Sequence, residues 1–107
     1  MTHYDWTQIT PLKLDSHITR KAIHSGNMTI ARLELLKDAQ VAEHSHHNEQ
    51  ITMVESGALK FAIDGGHKTV RAGESLVIPP NVPHGVVALE DTVVFDIFAP
   101  RRDDWPL

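Results

Sequence analysis

The sequence predicts an all-β, single-domain protein folded as an antiparallel barrel or sandwich. Short apolar and β-branched segments recur along its 107 residues, and turn-forming residues separate them at intervals of roughly 8–12 residues. No segment combines the length and spacing of an ordinary helix. A chain of this length leaves little room for a second domain.

Nine strands are predicted along the chain, each a run of apolar and β-branched residues. They span residues 18–25, 28–36, 41–46, 50–55, 59–63, 67–71, 74–78, 84–89 and 92–99. Gly26-Asn27 is a hairpin signal, Asp64-Gly65-Gly66 tolerates positive φ, and residues 79–83 form a rigid proline-rich loop. The open alternative is residues 29–37, whose apolar spacing also suits a helix.

Residues 1–15 are predicted to form an extended N-terminal arm, and residues 16–107 the barrel domain. The arm lacks the apolar core of a signal peptide, and no apolar run approaches the roughly 18 residues of a membrane span. We expect the arm to cover an exposed strand edge, either of its own barrel or of a partner's. These features favour a soluble, cytoplasmic protein.

Composition restricts the kinds of site and partner. The chain has no cysteine, which excludes disulfides and thiolate metal ligands, so any metal must bind nitrogen and oxygen. Its formal charge is −4 and its basic residues form no long run, so nucleic acid and anionic membranes are poor partners. Eight histidines are many for this length and first indicate a site.

The segment His44-Ser45-His46-His47-Asn48-Glu49-Gln50 carries the strongest functional signal. Residues two apart on a strand face the same side, so His44 and His46 project together, and Gln50 shares their parity. His84 follows the proline-rich loop and adds a distant imidazole. This set suits one divalent transition metal, such as nickel, zinc, iron or manganese. The other histidines are predicted to be surface residues: His3, His17, His24, His47 and His67.

These two segments resemble the two motifs of the cupin superfamily. The matching patterns are His44-x-His46-x3-Gln50-x6-Gly57 and Gly73-x5-Pro79-x-Asn81-x2-His84. The resemblance implies a jelly-roll antiparallel β-barrel for nearly the whole chain. It also implies a metal ion held by His44, His46, Gln50 and His84, and assembly as a homodimer.

Two positions depart from the cupin pattern. Asn81 replaces a glycine, which asparagine can mimic in the left-handed backbone conformation. Gln50 replaces an acidic ligand, and the adjacent Glu49 has the wrong parity and the wrong spacing to Gly57. A neutral amide leaves the charge of the ion less compensated. This favours Lewis-acid chemistry over redox chemistry and differs from the two-histidine, one-carboxylate set of iron oxygenases.

The last strand and the tail supply the remaining candidate residues. Asp96 is the one charge in the apolar run 93–98, and burying a carboxylate is costly. It is either a structural aspartate, bonded to backbone or to an arginine, or a general acid/base with a raised pKa. Phe98 shares its face and offers a wall for a sugar ring. Arg102 belongs either to a solvated tail or to a receptor for a substrate carboxylate.

Three stretches resemble a narrower family, the pectin-degradation or uronate-linearising cupins. They are Ile18-Thr19-Arg20-Lys21, residues 44–50, and Asp96-x-Phe98-x3-Arg102 followed by Asp-Asp-Trp. That family converts 4,5-unsaturated monouronates from pectin or alginate breakdown into linear ketonised sugars. The resemblance implies that Asp96 and Arg102 are catalytic, and that Phe98, Arg102 and Arg20 bind a small sugar acid.

Three functions are open at this point. The first is uronate ring opening, an isomerase-type reaction. The second is another metal-dependent reaction on the same scaffold, by a dioxygenase or a different sugar isomerase. The third is a small-ligand-binding module without catalysis, which would need a partner because the chain offers no output domain.

Overall fold

The computed structural model describes residues 1–105 and contains a single 3₁₀ turn, at Trp6–Gln8, followed by ten strands. The strands are β1 (Leu12–Lys13), β2 (Ile18–His24), β3 (Thr29–Leu35), β4 (Gln40–His44), β5 (Glu49–Ser56), β6 (Ala58–Ile63), β7 (Gly66–Arg71), β8 (Ser75–Ile78), β9 (His84–Ala88) and β10 (Thr92–Ala99). All nine predicted strands are present, with ends within two residues of the prediction. The all-β fold class is therefore confirmed.

The strands form two antiparallel sheets that face each other across the core. The six-stranded sheet has the order β1-β2-β3-β10-β5-β8, and the four-stranded sheet has the order β4-β9-β6-β7. Strands adjacent in space are often distant in sequence, because the chain passes repeatedly between the sheets. This is the jelly-roll arrangement that the cupin motifs implied. The largest apolar core side chains come from both sheets: Leu33, Leu35, Val54, Leu59, Phe61, Ile78, Val94 and Phe98.

The helical alternative for residues 29–37 is wrong, because this segment forms the interior strand β3. It pairs with β2 on one side and with β10 on the other. Its buried side chains alternate at Thr29, Ala31, Leu33 and Leu35, which is the period of a strand. Pairing on both edges overrides the weak helical spacing.

Two turn positions explain why the motifs need particular residues. Gly57 has φ +87°, and a Cβ atom there would lie 2.4 Å from the Asp91 carbonyl oxygen. A side chain at this position would therefore collide with the turn before β10. Asn81 has φ 66°, so it does adopt the left-handed conformation of the glycine that it replaces.

A β-bulge in β4 sets the register next to the site. Gln40 pairs with Val87, but the register shifts after Val41, so that His44 pairs with His84. Gly85 lies beside this bulge, and a Cβ atom on it would be 3.1 Å from the Val41 carbonyl oxygen. Because Gly85 has no side chain, β4 can approach β9 closely, and the bulge changes the direction of His44, the last residue of β4.

Residues 1–15 lie along the chain's own six-stranded sheet. Strand β1 pairs with β2, where Leu12 is opposite Arg20. The Trp6 ring packs edge-on against Phe95 at 5.9 Å, and the Lys21 ammonium donates a 2.8 Å hydrogen bond to the Trp6 carbonyl. The division into an arm and a domain remains a prediction. Within residues 1–105 no helix is long and apolar enough to cross a membrane.

Candidate metal centre

Three histidine rings meet where β4 ends and β9 begins. His44 is the last residue of β4, His46 lies in the loop before β5, and His84 opens β9. Potential ligand nitrogens on the three rings lie within 4.8 Å of one another. The bulge in β4 brings this about, because it places His44 directly opposite His84. Three of the four predicted ligands therefore converge.

Each of these rings is oriented by a backbone carbonyl two residues away. The Nδ1 contacts are His44 to Ala42 at 2.8 Å, His46 to Asn48 at 2.9 Å, and His84 to Val82 at 2.8 Å. A carbonyl oxygen can only accept, so each Nδ1 carries the hydrogen. In the neutral ring, Nε2 then holds a lone pair, which is the arrangement found in metal-binding histidines.

The Nε2 atom of His84 is the clearest sign that a cation fits here. It is buried and has no hydrogen-bond partner among residues 1–105, although buried polar atoms nearly always have one. Burial lowers the pKa of both His46 and His84 below the usual 6.5, and the charge of Arg102 acts in the same direction. Both rings are therefore neutral at physiological pH, the form that binds a metal.

Gln50 completes this cluster from the start of β5. Its side chain is buried, whereas the adjacent Glu49 is exposed, as the strand parity required. The Gln50 Oε1 lies 3.1 Å from the Nε2 of His46. With Nδ1 of His46 protonated, this contact joins two lone-pair atoms, so it needs a proton or a cation between them. Gln50 thus fits as an oxygen ligand beside the three imidazoles.

The cluster opens into a cavity of about 410 Å³ inside the barrel. Its polar lining comes from Glu43, His44, Gln50, His84, Asp96, Arg20 and Arg102. Its apolar lining includes Leu33, Leu35, Leu59, Phe61, Val86 and Val94. This volume lies in the lower part of the usual range for ligand pockets, so the cavity suits a small molecule. Its mixed lining suits a molecule that carries polar groups.

Asp96 faces this cavity from the centre of β10. The Thr52 hydroxyl donates a 2.7 Å hydrogen bond to its Oδ1. Burial raises the pKa of Asp96 to about 6, against the opposing effect of hydrogen bonds from Thr52 and Gln50. The carboxylate takes its hydrogen bonds from these two side chains rather than from an arginine. It can therefore gain or lose a proton near neutral pH.

Arg102 is a buried cavity residue rather than part of a solvated tail. Its Nε and Nη2 donate to Asp104 at 3.0 and 2.9 Å, and these bonds hold the pKa of Asp104 at about 2. Its backbone N–H donates to the Thr29 hydroxyl at 2.9 Å. The guanidinium lies 4.9 Å from the Phe98 ring and 4.5 Å from the Trp105 ring. Because Nε and Nη2 of the guanidinium already donate to Asp104, its Nη1 group stays available to a ligand.

Arg20 is a second guanidinium at the cavity. Its Cζ lies 3.7 Å from the centre of the Trp105 ring, and its guanidinium makes no hydrogen bond to the residues that the structure describes. Burial, followed by the charge of Arg102, lowers the pKa of Arg20 below its usual range. Two neighbouring cations in a partly buried cavity favour an anionic ligand.

Asn48 and Trp105, like Thr52, belong to the site but were not predicted from the sequence. Asn48 is buried, and its side-chain amide donates to the carbonyls of Pro100 and Arg101. It thereby ties the histidine loop to the segment that carries Arg102. Trp105 lines the cavity and packs edge-on against Phe98 at 5.1 Å. An asparagine in a loop carries no periodic signal, but a tryptophan beside a charged run is a signal that could have been used.

The other histidines lie outside the cluster. Four are exposed, as predicted: His3, His17, His47 and His67. The prediction that His24 is a surface residue is wrong, because it is half-buried and its Nδ1 lies 2.8 Å from the Thr29 hydroxyl. The cause is the tail after β10, which folds back against Thr29.

Comparison with known proteins agrees with this geometry. The cupin domain family matches residues 31–98. The chain is 31% identical over 96 residues to the pectin degradation protein KdgF of Dickeya dadantii, covering 87% of each protein. KdgF from Halomonas sp. matches with a TM-score of 0.90, 29% identity and 97% coverage of both chains. An RmlC-like cupin from Shewanella frigidimarina matches with a TM-score of 0.89 and 25% identity, covering 97% of this chain and 96% of that one.

Proposed function

Because this chain belongs to the cupin family and, within it, to the relatives of the pectin degradation protein KdgF, we propose that it linearises 4,5-unsaturated monouronates. The observation that carries the proposal is the content of one cavity. It combines a histidine cluster suited to a metal, a carboxylate whose pKa is about 6, and two guanidinium groups. Binding a small sugar acid and opening its ring would use all three kinds of group.

The metal ligands in this proposal are His44, His46, Gln50 and His84. When bound, a divalent ion would supply Lewis-acid polarisation of a substrate oxygen. The protein's part is to hold the three rings in the tautomer that turns Nε2 toward the ion. All four ligands are neutral, so the charge of the ion would stay available to the substrate.

Asp96 is the proposed proton carrier. Ring opening removes the proton of the hemiacetal hydroxyl and breaks the bond between C1 and the ring oxygen, which leaves an aldehyde at C1 and an enolate oxygen at C5. Returning the proton to C4 makes that enolate a ketone, so the product is an isomer of the substrate. A carboxylate with a pKa of about 6 can accept the first proton and return one near neutral pH.

Arg102 and Arg20 are the proposed receptors of the substrate carboxylate, and Phe98 is the wall beside its ring. The Arg102 guanidinium is oriented by its two hydrogen bonds to Asp104 and by its position over the Phe98 ring. Arg20 is held over Trp105. Preorganised cations lose little entropy on binding an anion, which supports their role in orientation.

The reaction is tested by incubating the metal-loaded protein with an unsaturated galacturonate or guluronate monomer and following its ring form by NMR. We expect ring opening to be faster than the spontaneous rate. Asp96→Asn should keep its metal and lose roughly 100-fold in turnover. Asp64→Asn, an exposed aspartate at the β6–β7 turn, is the matched control and should retain full activity. A metal-loaded wild type without acceleration would reject the proposal.

The same samples separate the other two functions. Oxygen consumption by an iron-loaded sample would indicate a dioxygenase. Saturable binding of the sugar acid without conversion would indicate a binding module.

The proposal also includes a cytoplasmic homodimer. A row of apolar residues crosses the outer face of the six-stranded sheet at directly paired positions: Ile23, Ile30, Ile97, Ile51 and Val77. Ile51 and Val77 are 37% and 57% exposed. A contiguous apolar row of this kind is typical of an interface, and a second copy of the chain offers the same row across a twofold axis.

A further inference from the structure

We propose that Thr52, held by Asp96, is the positioning residue that turns the oxygen of Gln50, rather than its nitrogen, toward the histidine cluster. This inference rests on the proposed metal site but not on the proposed reaction. A carboxylate ligand has two equivalent oxygens and needs no such selection. A glutamine has one oxygen and one NH₂ group, and only the oxygen can bind a cation.

The selection follows from where the single hydrogen of the Thr52 hydroxyl goes. Thr52 Oγ1 lies 2.7 Å from Oδ1 of Asp96 and 2.9 Å from Nε2 of Gln50. An ionised carboxylate only accepts, so the hydroxyl hydrogen points to Asp96. The Thr52 oxygen must then accept from Gln50. It therefore takes the NH₂ group of the amide and leaves Oε1 facing His46.

Burial makes this selection strict. Thr52 has no exposed surface, and Gln50 is 5% exposed, so water cannot replace the bond between the Thr52 hydroxyl and the amide. Reversal would place Oε1 against the lone pair of Thr52 and would also face Asp96 with an acceptor. It would at the same time turn two N–H groups toward the histidines. A buried polar group left without its partner is strongly disfavoured.

The experiment is a double-mutant cycle read out as zinc affinity, with Zn²⁺ titrated into metal-free protein at neutral pH. Thr52→Val keeps the side-chain shape and removes the hydroxyl. In the otherwise wild-type protein, which carries Gln50, we expect Thr52→Val to weaken zinc binding by roughly 10-fold. In the Gln50→Glu chain the same change should have little effect, because either carboxylate oxygen can bind. Thr52→Ser should restore wild-type affinity.

Three results would overturn the inference: unchanged affinity in Thr52→Val, an equal loss in both backgrounds, or no zinc binding by the wild type. An equal loss would show that Thr52 supports the fold only. The zinc affinities of these variants do not depend on uronate turnover. A protein that binds zinc as expected but does not convert a uronate would therefore contradict the proposed function and leave this inference standing.

A measurement on the wild type covers the case in which Thr52→Val does not fold. The side-chain NH₂ protons of Gln50 should exchange with D₂O at least roughly 10-fold more slowly than those of the exposed Gln40. Equally fast exchange would mean that the Gln50 amide is not held by Thr52, which would overturn the inference.

Discussion

At the residue scale, the site depends on the location of one hydrogen on each imidazole. His44, His46 and His84 each direct Nδ1 to a carbonyl only two residues away, so the local backbone sets the tautomer. Thr52 sets the orientation of the Gln50 side-chain amide by accepting a hydrogen bond from its NH₂ group. The site is therefore prearranged by groups that never touch the ion, as outer-shell partners commonly do in metal sites.

A pH prediction follows from these rings. The pKa values of His46 and His84 are lowered below 6.5, so protons compete for Nε2 only when the pH falls below that value. We expect zinc affinity to be nearly constant from pH 8 to 6.5 and to fall progressively at lower pH. Competition titrations with a chelating dye would measure this. An affinity that declines steeply between pH 8 and 7 would contradict it.

Residue parity could be read from the sequence, but partners across the fold could not. His44, His46 and Gln50 were grouped because a strand alternates its faces, and Asp96 was singled out as the one charge in an apolar run; both observations need only local sequence. The hydrogen bonds from Asn48 to the Pro100 and Arg101 carbonyls depend on how distant segments approach. Such approaches have no local signature, which is why Asn48 and His24 were missed or misplaced.

At the element scale, the pairing of β4 with β9 positions the cluster. Both strands were predicted, but the bulge after Val41 was not, because register is a property of two strands together. Gly85 makes the bulge possible by leaving room for the β4 backbone. The proposed metal centre thus depends on this glycine, although glycine offers no ligand.

Gly85→Ala tests this dependence. Its Cβ would lie 3.1 Å from the Val41 carbonyl oxygen and 3.2 Å from the Glu43 nitrogen, so β4 must shift and carry His44 with it. We expect zinc affinity to fall by roughly 10-fold and the free energy of unfolding by about 1–2 kcal/mol. Calorimetric titration and urea unfolding measure the two quantities.

Gly66→Ala is the matched control in the same sheet. A Cβ at that position meets only the Ile63 carbonyl oxygen, at 3.9 Å, which is ordinary contact. This variant should bind zinc like the wild type. Equal zinc affinity in both variants would show that the bulge does not position His44.

At the scale of the whole molecule, the two sheets enclose the cavity and the tail borders it. The jelly roll could be predicted because the two motifs and nine strand signals agree with one topology. The residues alone left the course of residues 100–105 open between a solvated tail and a receptor at the cavity, since a charged run is usually solvated. Here Arg102 turns inward and Trp105 lines the cavity.

The apolar row on the outer sheet gives a prediction for the assembly. Wild-type protein should elute as a dimer in size-exclusion chromatography with light scattering. Replacing Ile51 and Val77 together by lysine should yield a monomer, because charges desolvated at an interface oppose association. Zinc affinity should be unchanged, since both side chains point away from the cavity. A monomeric wild type, or a dimer that survives the double substitution, would contradict the proposed interface.

The metal content of the purified chain tests the central claim most directly. Elemental analysis of protein prepared with a divalent transition metal and then freed of excess ion should give about one ion per chain, the stoichiometry of a single ligand set. His44→Ala and His84→Ala should lose the ion, whereas His47→Ala, an exposed neighbour, should keep it. Wild-type protein that retains no ion, or an ion that survives both substitutions, would contradict the account.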